Sequence, residues 1–397
     1  MRSPAVARLN HPAVTGLIAF LGWLAFVLAR WQTWAKGQIG YFIMVGHKYS
    51  HPAQLPPHIP RVLSAGYDGQ FYYRLALNPF NWHPTAYGIT MDQNYRYTRI
   101  GYPLVTWVVS LGQHALVPFM LIAVNLLAVA AMGVLGGLFA RESGRHALWG
   151  LLFVAYYGLV ISVGRDTAEP LADACMLGGM LAYRHARYVL AAVLLAYSVV
   201  TNDPVLLLPV AIALTRLYAM YRRKARPGAA DLAWAVPAAA WVVLQGLERV
   251  LVKGRAGGTS DITRNFSAPF AAMARGLYTD VRGISWTHLG MYDINLIEFV
   301  TLLAIVVAAF LVIRRTTAPV HERVAFAGFV IEVCMASWQI WGSVFGDGRT
   351  MIEPFLLAVI LLLATPRKYL PAKYLGVLAA VTVPALVVVA RRRILFQ

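Results

Sequence analysis

The chain has 397 residues, of which 59% are hydrophobic and 13% charged, with a formal net charge of +18. An average soluble domain carries about 25% charged residues, so too little polar material is present to coat a water-soluble body of this size. The positive charge sits in short clusters between apolar runs, which argues against nucleic acid as the partner and for membrane lipids.

Apolar runs near the length needed to cross ~30 Å of hydrocarbon recur from end to end. In chain order they fall near 13–30, 114–140, 147–163, 167–183, 187–200, 204–221, 230–251, 296–313, 324–341, 354–364 and 374–390. The expected fold class is therefore an all-α integral membrane protein, a multi-span helical bundle of about 11 transmembrane helices forming one polytopic domain over 1–397. The first run follows Arg2 and Arg8 and lacks a small-residue cleavage site before Trp31, so it reads as a retained signal anchor. The stretch 101–111 reads either as a separate interfacial helix or as the first turns of the second span.

Orientation comes from lysine and arginine in the short connections, which collect on the cytoplasmic side. Arg141/Arg145, Arg184/Arg187, Arg222/Arg223/Lys224/Arg226, Arg314/Arg315/Arg323 and Arg367/Lys368/Lys373 mark alternate connections as inside, with the amino terminus. One discord remains: an odd number of spans puts Arg391, Arg392 and Arg393 outside, unless 354–364 is re-entrant. The opposite connections include a long first extracytoplasmic loop, 31–100, and a second long one, 253–295. The alanine- and arginine-rich composition suggests a bacterium with GC-rich coding, and hence its cytoplasmic (inner) membrane.

Cys175 and Cys334 lie inside apolar runs, where free cysteine behaves as a small hydrophobe. No CxxC or Cys/His spacing occurs, which excludes a disulfide framework and argues against redox chemistry. His47 and His51 are four apart with His58 following, but no nearby acid completes a metal set and prolines interrupt it. Glycine-rich phosphate loops, GxSxG and HExxH are absent, so soluble-type nucleotide binding and serine or zinc hydrolysis have no support.

The isolated acids and arginines fall on the extracytoplasmic connections: Arg165-Asp166 with Glu169, Asn202-Asp203, and Asp347 with Arg349 and Glu353. Singly, each is equally a helix cap or an interfacial ion pair. Together they favour a shared polar cavity, because a lone buried charge is expensive. The first loop carries the densest signal, Gly66-Tyr67-Asp68-Gly69-Gln70-Phe71-Tyr72-Tyr73-Arg74. An aspartate beside glycine can approach a ligand closely, and tyrosines such as Tyr67 and Tyr72 suit a carbohydrate or an interfacial lipid. The same string also reads as an aromatic belt with Asp68 as a helix N-cap. Downstream, Arg96 and Arg99 stand among Tyr95, Tyr97 and Tyr102; arginines so placed suit a phosphate, or equally lipid headgroups.

One amino-terminal span, a long outer loop with a solitary aspartate and many further spans resemble the GT-C superfamily of polytopic glycosyltransferases. Tyr67-Asp68-Gly69-Gln70-Phe71-Tyr72-Tyr73, then Arg99-Ile100-Gly101-Tyr102-Pro103-Leu104, is similar to its bacterial mannosyltransferase-like, cell-surface glycopolymer-formation subgroup. Arg165-Asp166-Thr167-Ala168-Glu169-Pro170-Leu171-Ala172 looks like the same pattern. The resemblance implies a GT-C-like fold and an inverting transferase using a polyprenyl-phosphate sugar donor at the outer face, with a glycan or glycolipid acceptor. It places the catalytic base on Asp68 and the donor-phosphate role on Arg96, Arg99, Arg165 and Arg349. Tyr67, Gln70, Tyr72, Asp166, Glu169, Asp203 and Asp347 would bind substrate or order the site. The paired-acid motif of metal-using members is missing, so no metal and no resident cofactor is expected. Two other classes compete: a lipid-linked substrate transporter or flippase, which calls for mid-membrane ionisable residues and discontinuous helices, and a non-catalytic membrane assembly subunit.

Overall fold

The computed structural model describes residues 9–252, 265–285, 290–342 and 347–395. Its framework is helical, in keeping with a multi-pass integral membrane protein. The helices are α1 (Pro12–Gln32), α2 (Gly69–Leu77), α3 (Gly101–Val109), α4 (Val117–Glu142), α5 (Gly158–Gly164), α6 (Glu169–Arg184), α7 (Tyr188–Thr201) and α8 (Leu207–Tyr221). They continue as α9 (Leu232–Leu251), α10 (Ala271–Arg282), α11 (Met291–Val312), α12 (Val320–Met335), α13 (Trp338–Trp341), α14 (Asp347–Thr350), α15 (Ile352–Leu363) and α16 (Ala372–Leu395). Two short ladders, Val45–Gly46 parallel to Arg61–Val62 and Thr85–Ala86 antiparallel to Ile89–Thr90, brace the first loop.

Among the described residues, six helices are long and apolar enough to cross a membrane, or seven if one bent pair counts as a span. Several of the expected spans take other forms. The run 147–163 bends by 67° between Ala147–Val154, a 3-10 helix, and α5. The Val154 carbonyl at that break is satisfied by the Trp23 indole N–H, at 3.2 Å. The run 324–341 breaks after Met335, because the carbonyls of Cys334 and Met335 accept from Phe270 and Ser267 of the second loop rather than continuing the helix. Leu111 and Gly112, both with positive φ, separate α3 from the span that follows, so 101–111 is a helix of its own. The 354–364 run is α15, buried at every position, a central post rather than a lipid-facing span.

The polar groups segregate to the two ends of the bundle. At the far end of α4 from the first loop, Arg184 pairs with Glu322 at 2.5 Å and Glu142 at 3.0 Å, and Arg367 donates to the Gly144 carbonyl. Arg145, buried there, donates to the carbonyls of Leu363 (2.8 Å), Thr365 (2.7 Å) and Leu370 (3.1 Å), tying the end of α15 and the start of α16 to α4. These are the arginines of the basic connections, gathered at one end. Arg2 and Arg8 lie outside the described residues.

Arg145→Met would leave three buried carbonyls without their charged donor, so a loss of roughly 2–4 kcal/mol is expected. The exposed Arg141→Met should stay within about 0.5 kcal/mol of the parent. SDS-induced unfolding in mixed micelles compares the two, and equal midpoints would remove Arg145 from the framework.

Candidate functional site

At the opposite end, Asp68 opens α2 but makes no side-chain cap hydrogen bond. Its carboxylate is instead shared between two guanidiniums: Arg96 Nη2 lies 2.8 Å from Oδ1 and Arg349 Nη1 lies 2.7 Å from Oδ2. Gly69 makes this position possible, since a Cβ there would sit 2.3 Å from the Arg165 carbonyl oxygen and 2.8 Å from that of Ile43. The glycine of the Asp-Gly pair thus lets the start of α2 abut the Arg165 turn. A Cβ on Gly158 would likewise lie 2.0 Å from the Gly348 carbonyl, so α5 seats the short helix that carries Arg349.

Each arginine is held from a second side. Arg96 makes a bidentate contact with Asp92 (2.9 and 3.0 Å) and lies over the Phe71 and Tyr95 rings. Arg349 reaches Glu169 at 3.3 Å and lies over Tyr67, 5.1 Å from the ring centre, while Arg165 covers the same ring at 4.5 Å. Arg99 pairs with Asp203 at 2.5 Å and stacks on Tyr95. Glu169, at the first turn of α6, also accepts from Ser162 and Thr167.

The expected site residues divide accordingly. Tyr67, Asp68, Arg96, Arg165, Glu169 and Arg349 converge, and Arg99–Asp203 forms a second pair one turn along the loop. Tyr72 is fully buried, its hydroxyl unpartnered among the described residues and set within the fields of Arg99, Glu169, Asp68 and Arg349. Gln70 is committed elsewhere: its side chain accepts from Gly46 and donates to Ala65, closing the loop on itself. Asp166, in the left-handed region at φ 48°, is fully buried, and neither of its carboxylate oxygens has a hydrogen-bond partner among the described residues. The side chain of Asp347 lies outside the described residues.

Three participants had escaped notice in the sequence. Asp92 stands four before Arg96 and fixes it. Asp173, one helical turn after Glu169 on α6, is fully buried with both oxygens lacking a hydrogen-bond partner among the described residues. The i, i+4 spacing of Glu169 and Asp173 was the available signal. Arg30 donates to the Gly164 carbonyl at 3.2 Å and so shapes the turn that delivers Arg165. Asn202 joins the cluster through Glu353, at 3.2 Å.

Electrostatically the centre is a set of arginines interleaved with acids: Arg96 and Arg349 share Asp68, while Asp92 pairs with Arg96, Glu169 with Arg349 and Asp203 with Arg99. Burial alone would raise the Asp68 pKa, but the charges and hydrogen bonds of Arg96 and Arg349 outweigh it and hold the carboxyl well below the usual range. Burial pushes the Tyr72 hydroxyl up, keeping it a neutral donor. Arg96 Nη1 is buried and unpartnered among the described residues. Two donors, Arg96 Nη1 and the Tyr72 hydroxyl, thus remain unused among the described residues around Asp68, and an anion could accept from either. Beside it lies an apolar groove of about 570 Å³, lined by Phe270, Phe299, Leu302, Val330 and Trp341 and reaching Pro354, the residue after Glu353. Among the described residues, no cluster of three or more His, Cys, Asp or Glu side chains has a metal-binding arrangement.

Comparison with protein-family profiles and with curated proteins gives no match for this chain.

Because the folded Asp68 pKa lies below its unfolded value of 3.8, its ion pairs stabilise the fold fully above about pH 5 and are lost only as pH falls below about 4. The stability gap between the parent and Asp68→Asn should therefore be constant from about pH 5 to 7 and close only in stronger acid. Unfolding midpoints across that range measure it; a gap already closing near pH 6 would mean that the two arginines do not hold the carboxylate.

Proposed function

We propose that the chain is a GT-C-like, inverting glycosyltransferase that takes its sugar from a polyprenyl-phosphate donor. The observation that carries this reading is an arginine centre with unused donors, set beside a groove that is apolar throughout. That pairing suits an amphiphile with a phosphate head and a hydrocarbon tail: guanidinium grips phosphate in bidentate fashion, and the groove takes chain rather than water. The gathering of basic connections at the other end of the bundle supports reading that end as cytoplasmic and the site as facing the extracytoplasmic side of a bacterial inner membrane.

In this reading Asp68 holds Arg96 and Arg349 ready. A carboxylate bearing two guanidiniums is a weak base, so the incoming phosphate must first draw the arginines toward itself. Asp68 is then free to accept the proton of the acceptor hydroxyl. The acceptor oxygen bonds to the anomeric carbon on the face opposite the phosphate, and the carbon–oxygen bond to phosphate breaks. The electron pair leaves on the phosphate, where Arg96 and Arg349 stabilise the developing charge. Tyr67, held between Arg165 and Arg349, presents a ring face to the sugar, while Glu169 and Asp203 keep Arg349 and Arg99 in place. The acceptor is a glycan or glycolipid of the envelope.

A transporter or flippase for a lipid-linked substrate is the second reading. The 67° bend before α5 and the buried Asp173 within α6 are the discontinuous helix and membrane-embedded acid that transport favours. Purified protein in lipid vesicles, supplied with a panel of polyprenyl-phosphate sugars and glycan acceptors, separates the two. Transfer from one donor is expected, falling about 10²–10⁴-fold in Asp68→Asn with donor binding retained. In Arg349→Gln, transfer should fall about 10²–10³-fold with donor binding weakened. Movement of the intact donor across the bilayer without transfer would decide for transport, and neither donor binding nor movement would leave an assembly subunit.

A further inference from the structure

The carboxy-terminal helix runs against the charge pattern of the rest of the chain. α16 starts beside Leu370, whose carbonyl Arg145 holds at the end of the bundle away from Asp68. Its 24 residues rise about 36 Å, enough to cross ~30 Å of hydrocarbon. Arg391 and Arg392, about 30 Å along the helix from Ala372, therefore lie toward the Asp68 end, where the short connections are otherwise poor in clustered basic residues. Arg391 is exposed and Arg392 half-buried, and neither has a hydrogen bond or ion pair among the described residues.

One turn back along α16, Leu386 and Ala390 form a wall of an apolar cleft of about 270 Å³. Gly22, Trp23 and Phe26 of α1 form the second wall, and Val154 with Val160 the third. The cleft exists because the chain bends by 67° between Val154 and Gly158 and withdraws a helix face from α1 and α16. No polar group in it seeks a partner, since the Trp23 indole N–H is already given to the Val154 carbonyl. It is separate from the larger groove beside Pro354, with which it shares no lining residue.

We propose that this cleft and Arg391/Arg392 together bind one membrane lipid with an anionic, phosphate-bearing headgroup, its hydrocarbon chain in the cleft and its phosphate on the two arginines. The cleft supplies only apolar contact and so selects hydrocarbon; Arg391 and Arg392, which follow the lining residue Ala390 on the same helix, select the head. Clustered arginines beside a span attract anionic headgroups, and guanidinium matches phosphate geometry. The site also resolves the topological discord: cations that oppose the charge bias are retained because they have a ligand. The proposal is independent of the transfer reading, as it concerns binding alone.

Trp23 lines the cleft and reports on it directly. The full chain is reconstituted in nanodiscs containing either brominated phosphatidylglycerol or brominated phosphatidylcholine, and the Trp23 signal is obtained by subtracting the Trp23→Phe protein. Stronger quenching by phosphatidylglycerol is expected. Its preference should fall roughly fivefold for each arginine removed in Arg391→Gln and Arg392→Gln. A Cβ on Gly22 would meet no atom within 4 Å, so Gly22→Leu fits the fold and fills the cleft, and should reduce quenching by both lipids. Equal quenching of Trp23 by the two lipids in the parent overturns the proposal, as does a phosphatidylglycerol preference that survives both arginine substitutions.

Discussion

The carboxylate of Asp68, held at 2.8 Å by Arg96 and at 2.7 Å by Arg349, is the joint on which this end of the molecule depends. It connects the first long loop to a four-residue helix 281 positions further along the chain. Each arginine carries a second anchor, Asp92 for one and Glu169 for the other. Removing the carboxylate therefore leaves each cation partly compensated rather than bare. That distinction matters energetically, because an unpaired buried charge costs several kcal/mol whereas a redistributed one costs less. The same redundancy permits exchange: an incoming anion can draw both guanidiniums off Asp68 while Asp92 and Glu169 keep each one tethered.

Much of this was legible in the sequence, and for a physical reason. Acids and arginines at the ends of apolar runs are too costly to leave alone, so their placement already signals a shared polar centre. Arg165, Glu169 and Arg349 could be gathered on that ground, whereas Asp68 and Arg96 were joined to them through the resemblance of the first-loop motifs. Side-chain direction was not legible. Asp166 follows Arg165 in sequence, yet on its left-handed backbone both its carboxylate oxygens are buried without a hydrogen-bond partner among the described residues. Gln70 sits in the densest motif yet spends both its polar atoms on loop backbone. Asp92 was hidden because its partner lies across a loop turn rather than on a helix face.

The spans show a related limit. Hydropathy locates apolar runs, but whether a run stays straight depends on who accepts or donates at its weak points. Trp23 takes the Val154 carbonyl at one break, and residues 267–270 take the carbonyls of Cys334 and Met335 at another. Both sets of partners come from distant sequence. Buried backbone groups must be satisfied somewhere, so a side chain or loop that satisfies them from outside licenses the helix to end. For α15 the run is short for the opposite reason: it is enclosed by protein on all sides and need not span lipid.

These breaks also shape the spaces around the polar centre. The break after Met335 places Phe270 and Trp341 beside α11 and helps define the larger groove, while the bend before α5 opens the smaller cleft against α1 and α16. Each apolar space thus arises where a helix is interrupted: the larger groove beside the break after Met335, the smaller cleft at the bend between Val154 and Gly158. An unbroken bundle of the same sequence length would have packed α11, α12, α1 and α16 without these spaces. The cost of interrupting helices in a membrane is offset locally by specific hydrogen bonds, and what it provides is hydrocarbon-sized space within reach of fixed positive charge.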